Sequence, residues 1–439
     1  MNVATYATNP LTGMATGLVA PDGVTKFPVG LIPRSPYLTK ALITFVDTAN
    51  DAFANDWSSH IQMTCEADFD AIQVGFINTR AGSINVQVIA SVMSAAGDPS
   101  TTAVLNTGGT WVNAGTSGNT LTCPAAATTQ YGMNITWGDV VPLASIARSD
   151  GGALPILCVR TQQLTANNGG TNRVISAQGG ASGQGYAFET DNASSIPYGR
   201  LYRVRTQASV QGVATIGSIT TAANGCNTAP PIIVRYWLRN GYGKSIVVVG
   251  DSISGAFNTT TFSGWSMLQE ARRQVSIPSA PIELCVLCQS GAQLSNIAVR
   301  AESVASTLTN VAYVTPDASP NSLGVPITAA SLASERASYQ RILTAIANQK
   351  NPVITWTMLP ATFAAKAWGA TDSLRLSMNA TRLAGQSPFA PVVDPATLVS
   401  GPVDGNGQTT FPYAEADGLH PTTAGHVVGA AAFLPAFRT

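Results

Sequence analysis

The chain has 439 residues, longer than one ordinary domain, so two or three domains are expected. Hydrophobic residues make up 45% of it and charged residues only 10%, well below the roughly 25% of an average soluble protein. The formal net charge is +0 and no lysine- or arginine-rich run occurs, so nucleic acid and anionic membranes are poorly supported as partners.

Serine, threonine, asparagine and glycine take the surface that charge leaves, which suits an extracellular or virion-associated protein. The first residues, Met1 to Tyr6, show no basic n-region and no apolar h-region, so no signal peptide is visible. Nothing reaches the roughly 20 apolar residues of a membrane span.

Residues 1–40 are rich in Gly, Pro and Thr without a sustained period, and read as an extended N-terminal arm. From 41 to 240 the pattern is short strands: Ala41–Val46, Ile61–Cys65, Ala71–Ile77, Ile84–Ala90, Leu154–Arg160, Leu201–Thr206 and Ile232–Trp237. In Ile84–Ala90, alternation puts Ile84, Val86 and Val88 on one face. Turn-formers such as Asn167-Asn168-Gly169-Gly170 and Gly179-Gly180 separate the strands. An all-β accessory domain follows, an antiparallel sandwich most simply built as a jelly roll. Its aromatics Trp57, Trp111, Trp137 and Tyr186 are candidates for stacking on sugars, but core packing is the plainer reading for most.

After Lys244 strands alternate with helices, the pattern of a parallel sheet. The strands are Ile246–Val249, Ile282–Leu287, Val311–Val314, Val353–Met358 and Pro391–Asp394. The helices are Trp265–Gln274, Asn296–Ser306, Ala329–Ala347, Ser373–Leu383 and one from Thr423. Residues 241–439 thus form an α/β domain. The six cysteines are Cys65, Cys123, Cys158, Cys226, Cys285 and Cys288. Cys285-x-x-Cys288 lies in an apolar strand, where residues three apart face opposite ways, so these read as core thiols. No zinc site or cofactor motif is present.

Ile246–Val249 reads as a strand buried on both faces, and Gly250-Asp251-Ser252-Ile253 follows at its carboxyl end, where open α/β sheets hold ligands. A serine hydroxyl needs a base to remove its proton, and the base needs a partner to fix its tautomer. Only three histidines exist. His60 starts a strand of the β-domain, and His426 falls on the last helix, facing away from His420. His420 lies in Asp417-Gly418-Leu419-His420-Pro421, where the spacing can bring the Asp417 carboxylate beside the imidazole. Ser252, His420 and Asp417 are therefore the candidate nucleophile, base and orienting acid. Asp251 reads as a brace for the turn.

With Gly250-Asp251-Ser252-Ile253 and Asp417-x-x-His420-Pro421 in order, the C-terminal domain resembles the SGNH hydrolases, the GDSL esterase/lipase superfamily. The resemblance implies a flavodoxin-like three-layer α/β/α sandwich with a parallel five-stranded sheet. It also implies an oxyanion hole from the Ser252 and Gly291 amides and the Asn321 side chain. The third sequence block departs from the family's Gly-x-Asn-Asp: here it is Thr315-Pro316-Asp317-Ala318-Ser319-Pro320-Asn321-Ser322, and Asn310 precedes the strand. The implied activity is a serine esterase needing no cofactor, with an acetylated polysaccharide as the expected substrate. A phage or cell-surface glycan-binding protein with little turnover, or a general arylesterase, is the alternative. The oligomeric state is left open.

Overall fold

The computed structural model describes residues 5–8, 15–19, 26–28, 31–41, 52–53, 56–79, 81–93, 110–126, 131–145, 156–168, 172–173, 175–176, 202–207, 228–229, 232–255, 266–324, 326–385 and 390–439. Tyr186, Cys226, the Trp57 side chain and much of the N-terminal arm lie outside the described residues. The chain divides into two compact units that interleave along the sequence. One comprises Ser35–Gly243 and Ile277–Leu287; the other comprises Met1–Arg34, Lys244–Ser276 and Cys288–Thr439. The sequence division at 40 and 240 has no counterpart for the excursion at 277–287, nor for the first 34 residues.

The first unit is antiparallel. Its longer strands are β1 (Tyr37–Ala41), β2 (Trp57–Thr64), β3 (Phe69–Asn78), β4 (Ile84–Met93), β5 (Thr120–Cys123), β6 (Asn134–Pro142), β7 (Ile156–Gln163), β8 (Tyr202–Gln207) and β9 (Ile232–Leu238). One sheet runs β6-β3-β9-β1, and the other contains β4-β7-β2-β8 with β5 on the free side of β4. Alternation drives the burial. Ile84, Val86 and Val88 are at most 2% exposed while Asn85 and Gln87 are half-buried, and Ile72, Val74 and Phe76 on β3 are fully buried.

Two guanidiniums stack on half-buried tryptophans of this unit: Arg160 lies 4.0 Å from the Trp111 ring centroid and Arg235 4.0 Å from that of Trp137. One face of each ring is therefore covered. His60 is buried on β2, and desolvation, with Arg160 adding to it, pulls its pKa down to about 3.

The second unit carries the parallel strands β10 (Gly243–Val248), β12 (Ala312–Pro316), β13 (Val353–Trp356) and β14 (Val392–Val393), neighbours in that order. β11 (Ile282–Val286) is grouped with the antiparallel unit, where Lys40 Nζ and Tyr236 Oη reach Glu283 at 3.1 and 3.0 Å. Ile246, Val247, Val248 and Val249 are all 0% exposed, as a strand covered on both faces demands. The register pairs Val248 with Val314, Val314 with Ile354, and Trp356 with Val393.

The longer helices are α1 (Met267–Val275), α2 (Leu294–Val304), α3 (Ala329–Asn348), α4 (Asp372–Ala384) and α5 (Thr423–Ala430). Hydroxyl caps begin three of them. Ser266 accepts from Gln269 N, Thr422 from Gly425 N, and Thr328 with Ser331 closes a reciprocal capping box. Beyond the carboxyl ends of β12 and β13, a cluster of Ala318, Leu323, Ile327, Met358, Ala361, Trp368 and Met378 fills the core, with Leu419 packed on it.

Candidate active site

The amide of Val249 donates to Val314 O at 3.1 Å, so β10 stays in the sheet to its last residue before the chain turns. The turn closes tightly: a Cβ at Gly250 would strike the Ser254 side chain, so glycine is the residue that fits. Asp251 is 1% exposed; its Oδ1 accepts from the amides of Ile253 (3.1 Å) and Ser254 (3.3 Å). This Asx-type arrangement fixes the backbone around Ser252. Desolvation raises the Asp251 carboxyl above its ordinary range, although those amides, the Ser319 hydroxyl and His420 all pull the other way.

Opposite stands the loop 414–421. His420 O accepts from Glu415 N at 2.7 Å, and Thr422 N donates to Tyr413 O at 2.7 Å, which close it at both ends. Gly418 holds φ +71°, where a side chain would be strained and would also run into Thr362. With that bend, Asp417 Oδ1 accepts from the amides of Leu419 (2.9 Å) and His420 (3.0 Å), leaving Oδ2 for the imidazole.

The three predicted residues meet. His420 Nε2 is 2.8 Å from Ser252 Oγ, and His420 Nδ1 is 2.6 Å from Asp417 Oδ2. Partial burial works to raise the Asp417 carboxyl, but the His420 and Leu419 amides and the imidazole outweigh it and hold it below the usual carboxylate range. An anionic Asp417 accepts a hydrogen bond from Nδ1–H, which selects the tautomer whose Nε2 lone pair faces Ser252.

Gly291 follows in the loop after β11, exposed and at φ +70°. The loop is tied to the nucleophile turn by Gln289 N, which donates to Gly250 O at 2.9 Å. Neither the Ser252 nor the Gly291 amide donates to another described residue. Asn321 lies on the same side: one proton of its Nδ2 goes to Ala292 O at 3.2 Å, and an amide nitrogen carries a second.

Three features of the site carried no mark in the sequence. Arg300, 2% exposed on α2, donates to Gln289 Oε1 at 2.9 Å and so props the Gly291 loop. Ser319 Oγ sits 3.0 Å from Asp251 Oδ2 and 2.8 Å from Ala292 O, and accepts from Asn321 N at 3.3 Å. Glu335 Oε2 on α3 accepts from Ser319 N at 2.9 Å. A serine in a Pro/Ala/Ser loop has no pattern to mark it; only the departure of that block from Gly-x-Asn-Asp gave a signal.

His426, on α5, is fully buried, and its Nδ1 accepts from Met267 N at 3.2 Å at the start of α1. Cys285 and Cys288 are free and buried, and desolvation pushes the Cys285 thiol up to about 12. Among the described residues no group of His, Cys, Asp or Glu side chains could hold a metal ion, and no helix is long and apolar enough to cross a membrane.

No protein-family profile and no curated protein matches the chain. Solved structures do. A G-D-S-L-family lipolytic protein from Veillonella parvula matches at 15% identity over 44% of this chain and 96% of its own, with a TM-score of 0.35. A lipase/acylhydrolase from Enterococcus faecalis matches at 18% identity over 43% and 92%, TM-score 0.32. A carbohydrate esterase family 3 protein from Talaromyces cellulolyticus matches at 19% identity over 44% and 95%, TM-score 0.30. The solved chains to which this protein is similar include GDSL-type lipolytic enzymes, acylhydrolases and an esterase, and the likeness spans about 43% of its length.

Proposed function

We propose that the chain is a serine hydrolase of carboxylic esters, with Ser252 as nucleophile, His420 as base and Asp417 as the residue that orients it. The observation that carries this is the continuous path Asp417 Oδ2–His420 Nδ1 (2.6 Å) and His420 Nε2–Ser252 Oγ (2.8 Å). As Oγ attacks the ester carbonyl, Nε2 takes its proton and the new imidazolium is stabilised by Asp417. The oxyanion that forms is met by the Ser252 and Gly291 amides and the remaining Asn321 N–H. Collapse expels the alcohol, which receives the proton from Nε2. Water then repeats the cycle on the acyl-enzyme and releases the acid.

A short acyl group, such as acetate on a polysaccharide, is the substrate we favour. A cavity lined among others by Ile253, Ala318, Pro320, Met358 and Leu419 adjoins the nucleophile turn. The neutral, hydroxyl-rich composition agrees with a carbohydrate.

For the antiparallel unit we propose a jelly-roll accessory domain. Setting β8 aside, its eight strands pair first with last (β1·β9), second with seventh (β2·β7), third with sixth (β3·β6) and fourth with fifth (β4·β5). That is the order of a long hairpin rolled over on itself. For the other unit, a flavodoxin-like α/β/α sandwich is supported by the parallel register of β10, β12, β13 and β14.

The test is acetate release from a panel of acetylated glycans, alongside hydrolysis of p-nitrophenyl acetate, with Ser252→Ala as control. Both activities should vanish in the variant, and a fluorophosphonate should label Ser252. Labelling at another serine would sink the assignment.

A further inference from the structure

Two oxygen–oxygen contacts meet at Ser319, and each needs a proton between its atoms. Ser319 Oγ is 2.8 Å from Ala292 O and 3.0 Å from Asp251 Oδ2. A hydroxyl brings one proton. The Ala292 carbonyl can only accept, so at the shorter contact the proton belongs to Ser319. The second must come from Asp251. We infer that Asp251 is a neutral carboxylic acid that donates through Oδ2 to Ser319 and accepts through Oδ1, acting as a positioning residue that ties the Ser252 turn to the oxyanion loop.

The valences then close. Ser319 Oγ donates to Ala292 O and accepts from Asp251 Oδ2–H and from Asn321 N at 3.3 Å. Asp251 Oδ1 keeps the amides of Ile253 and Ser254, with Ser254 Oγ at 3.4 Å. Acceptor on one oxygen and donor on the other is the pattern of a carboxamide. The alternative, an ionised Asp251 taking the Ser319 proton, leaves Ser319 Oγ and Ala292 O in repulsive contact with no hydrogen between them.

The surroundings favour the neutral form. Asp251 is 1% exposed and no cation contacts its oxygens among the described residues. The titratable groups that face it are His420 from the C-terminal loop, Cys288 from the oxyanion loop and Glu335 from α3, the last itself raised by burial. Desolvation moves Asp251 in the same direction.

The consequence for the esterase reading, on which this role rests, is mechanical. One O–H···O–H···O chain fixes three segments at once: 250–254 with the nucleophile, 289–292 with Gly291, and 319–321 with Asn321. Losing it lets the oxyanion donors drift from the nucleophile, and displacement of about 1 Å in such a site can cost on the order of 10²-fold in rate.

The deciding experiment is an infrared difference spectrum at neutral pH, parent minus Asp251→Asn, which needs no turnover. The parent should show the C=O stretch of a protonated carboxyl that the variant lacks, with no loss of carboxylate intensity. Loss of a carboxylate band instead overturns the inference whether or not the protein hydrolyses esters. An Asp251→Asn that fails to fold overturns it as well, because the amide repeats the same donor and acceptor pattern.

Kinetics on p-nitrophenyl acetate supply the second arm. Asp251→Ala and Ser319→Ala should each lower kcat by about 10- to 100-fold with KM little changed, and the double variant should be no worse than either, since they break one chain. Asp251→Asn should rescue most of the Asp251→Ala loss. An asparagine variant as damaged as the alanine one refutes the carboxamide-like role. If the parent is inactive on every ester, the esterase reading fails and the infrared result still stands on its own.

Discussion

His420 and His426 flank the cap of α5, one in the loop before it and one inside it, and their surroundings give the imidazole two different characters. His420 faces an acceptor on one nitrogen and a hydroxyl on the other, at 2.6 and 2.8 Å. His426 faces a backbone amide at 3.2 Å and is 0% exposed, and desolvation, with His420 adding to it, holds its pKa at about 3. Burial alone therefore makes a silent histidine. A base needs burial, an anion to stabilise its cation, and a proton donor within reach. The comparison also separates the loop 414–421, built from turns that leave Asp417 half in solvent, from a helix whose inner face is sealed.

The largest expected effect comes from removing the anion. Asp417→Asn keeps the shape, but its amide can present N–H to Nδ1 and trap the imidazole with its proton on Nε2. Turnover of p-nitrophenyl acetate should fall by about 10⁴-fold with the fold retained. Near-parental kcat in a folded Asp417→Asn would show that the loop, not the charge, is what matters.

Next in size is the oxyanion side. Asn321→Ala removes one donor, and kcat should fall by about 10²- to 10³-fold with KM nearly unchanged. The same variant loses the bond to Ala292 O, so its thermal midpoint must be measured in parallel. A loss of activity that tracks a loss of stability would assign Asn321 to the scaffold instead.

These residues differ in how far the sequence disclosed them. Ser252, His420 and Asp417 were legible because short contiguous motifs fix their geometry: a glycine before a turn, and a three-residue gap bent by Gly418. Ile246–Val249 and Ala329–Ala347 were legible for the same local reason, since composition and period announce them; Thr120–Cys123 and Asn134–Pro142 were missed, and the strand expected at Ala41–Val46 is Tyr37–Ala41, with 42–46 outside the described residues. Ser319, Glu335 and Arg300 were not. Their roles depend on which side chains three separate loops bring together, and no local pattern encodes that. Ile282–Leu287 was legible as a sheet strand, and Ile282–Val286 is one; what no local pattern showed is that Glu283 within it is buried against Lys40 and Tyr236.

A buried acid off the reaction path gives the third test. Asp317 is 0% exposed and neither of its oxygens accepts from another described residue. Burial pushes its carboxyl up to about 7, against Arg382 at 4.0 Å and with help from Glu335 and Asp394. The folded state thus holds a proton that the unfolded chain gives up near its ordinary value of about 3.9. Stability from this group is complete below that value and is lost as the pH rises toward 7. Asp317→Asn should remove that slope, making the variant more stable than the parent at pH 8 by on the order of a few kcal/mol. Denaturant melts at pH 5 and pH 8 decide it: an unchanged difference between the two pH values would mean Asp317 ionises freely.

The smallest effect on turnover, and the sharpest contrast with His420, belongs to His426. Its Nδ1 accepts the first amide of α1, so His426→Ala leaves a buried N–H unmet and should cost about 1–3 kcal/mol of stability. Activity per folded molecule should not move, because His426 contacts none of the reacting groups. The pH dependence runs opposite to that of Asp317. A neutral His426 with a pKa of about 3 gives no proton-linked change above the ordinary value near 6.5. Below it the unfolded chain takes up a proton that the folded chain refuses, so stability drains as the pH falls toward 3. His60, also held at about 3, shares this acid limb. His426→Gln should therefore flatten only part of the decline between pH 6.5 and 3, and the double variant with His60→Gln should flatten more. If His426→Gln instead reduced kcat by orders of magnitude at unchanged stability, the distinction between a sealed imidazole and a working one would have been drawn at the wrong residue.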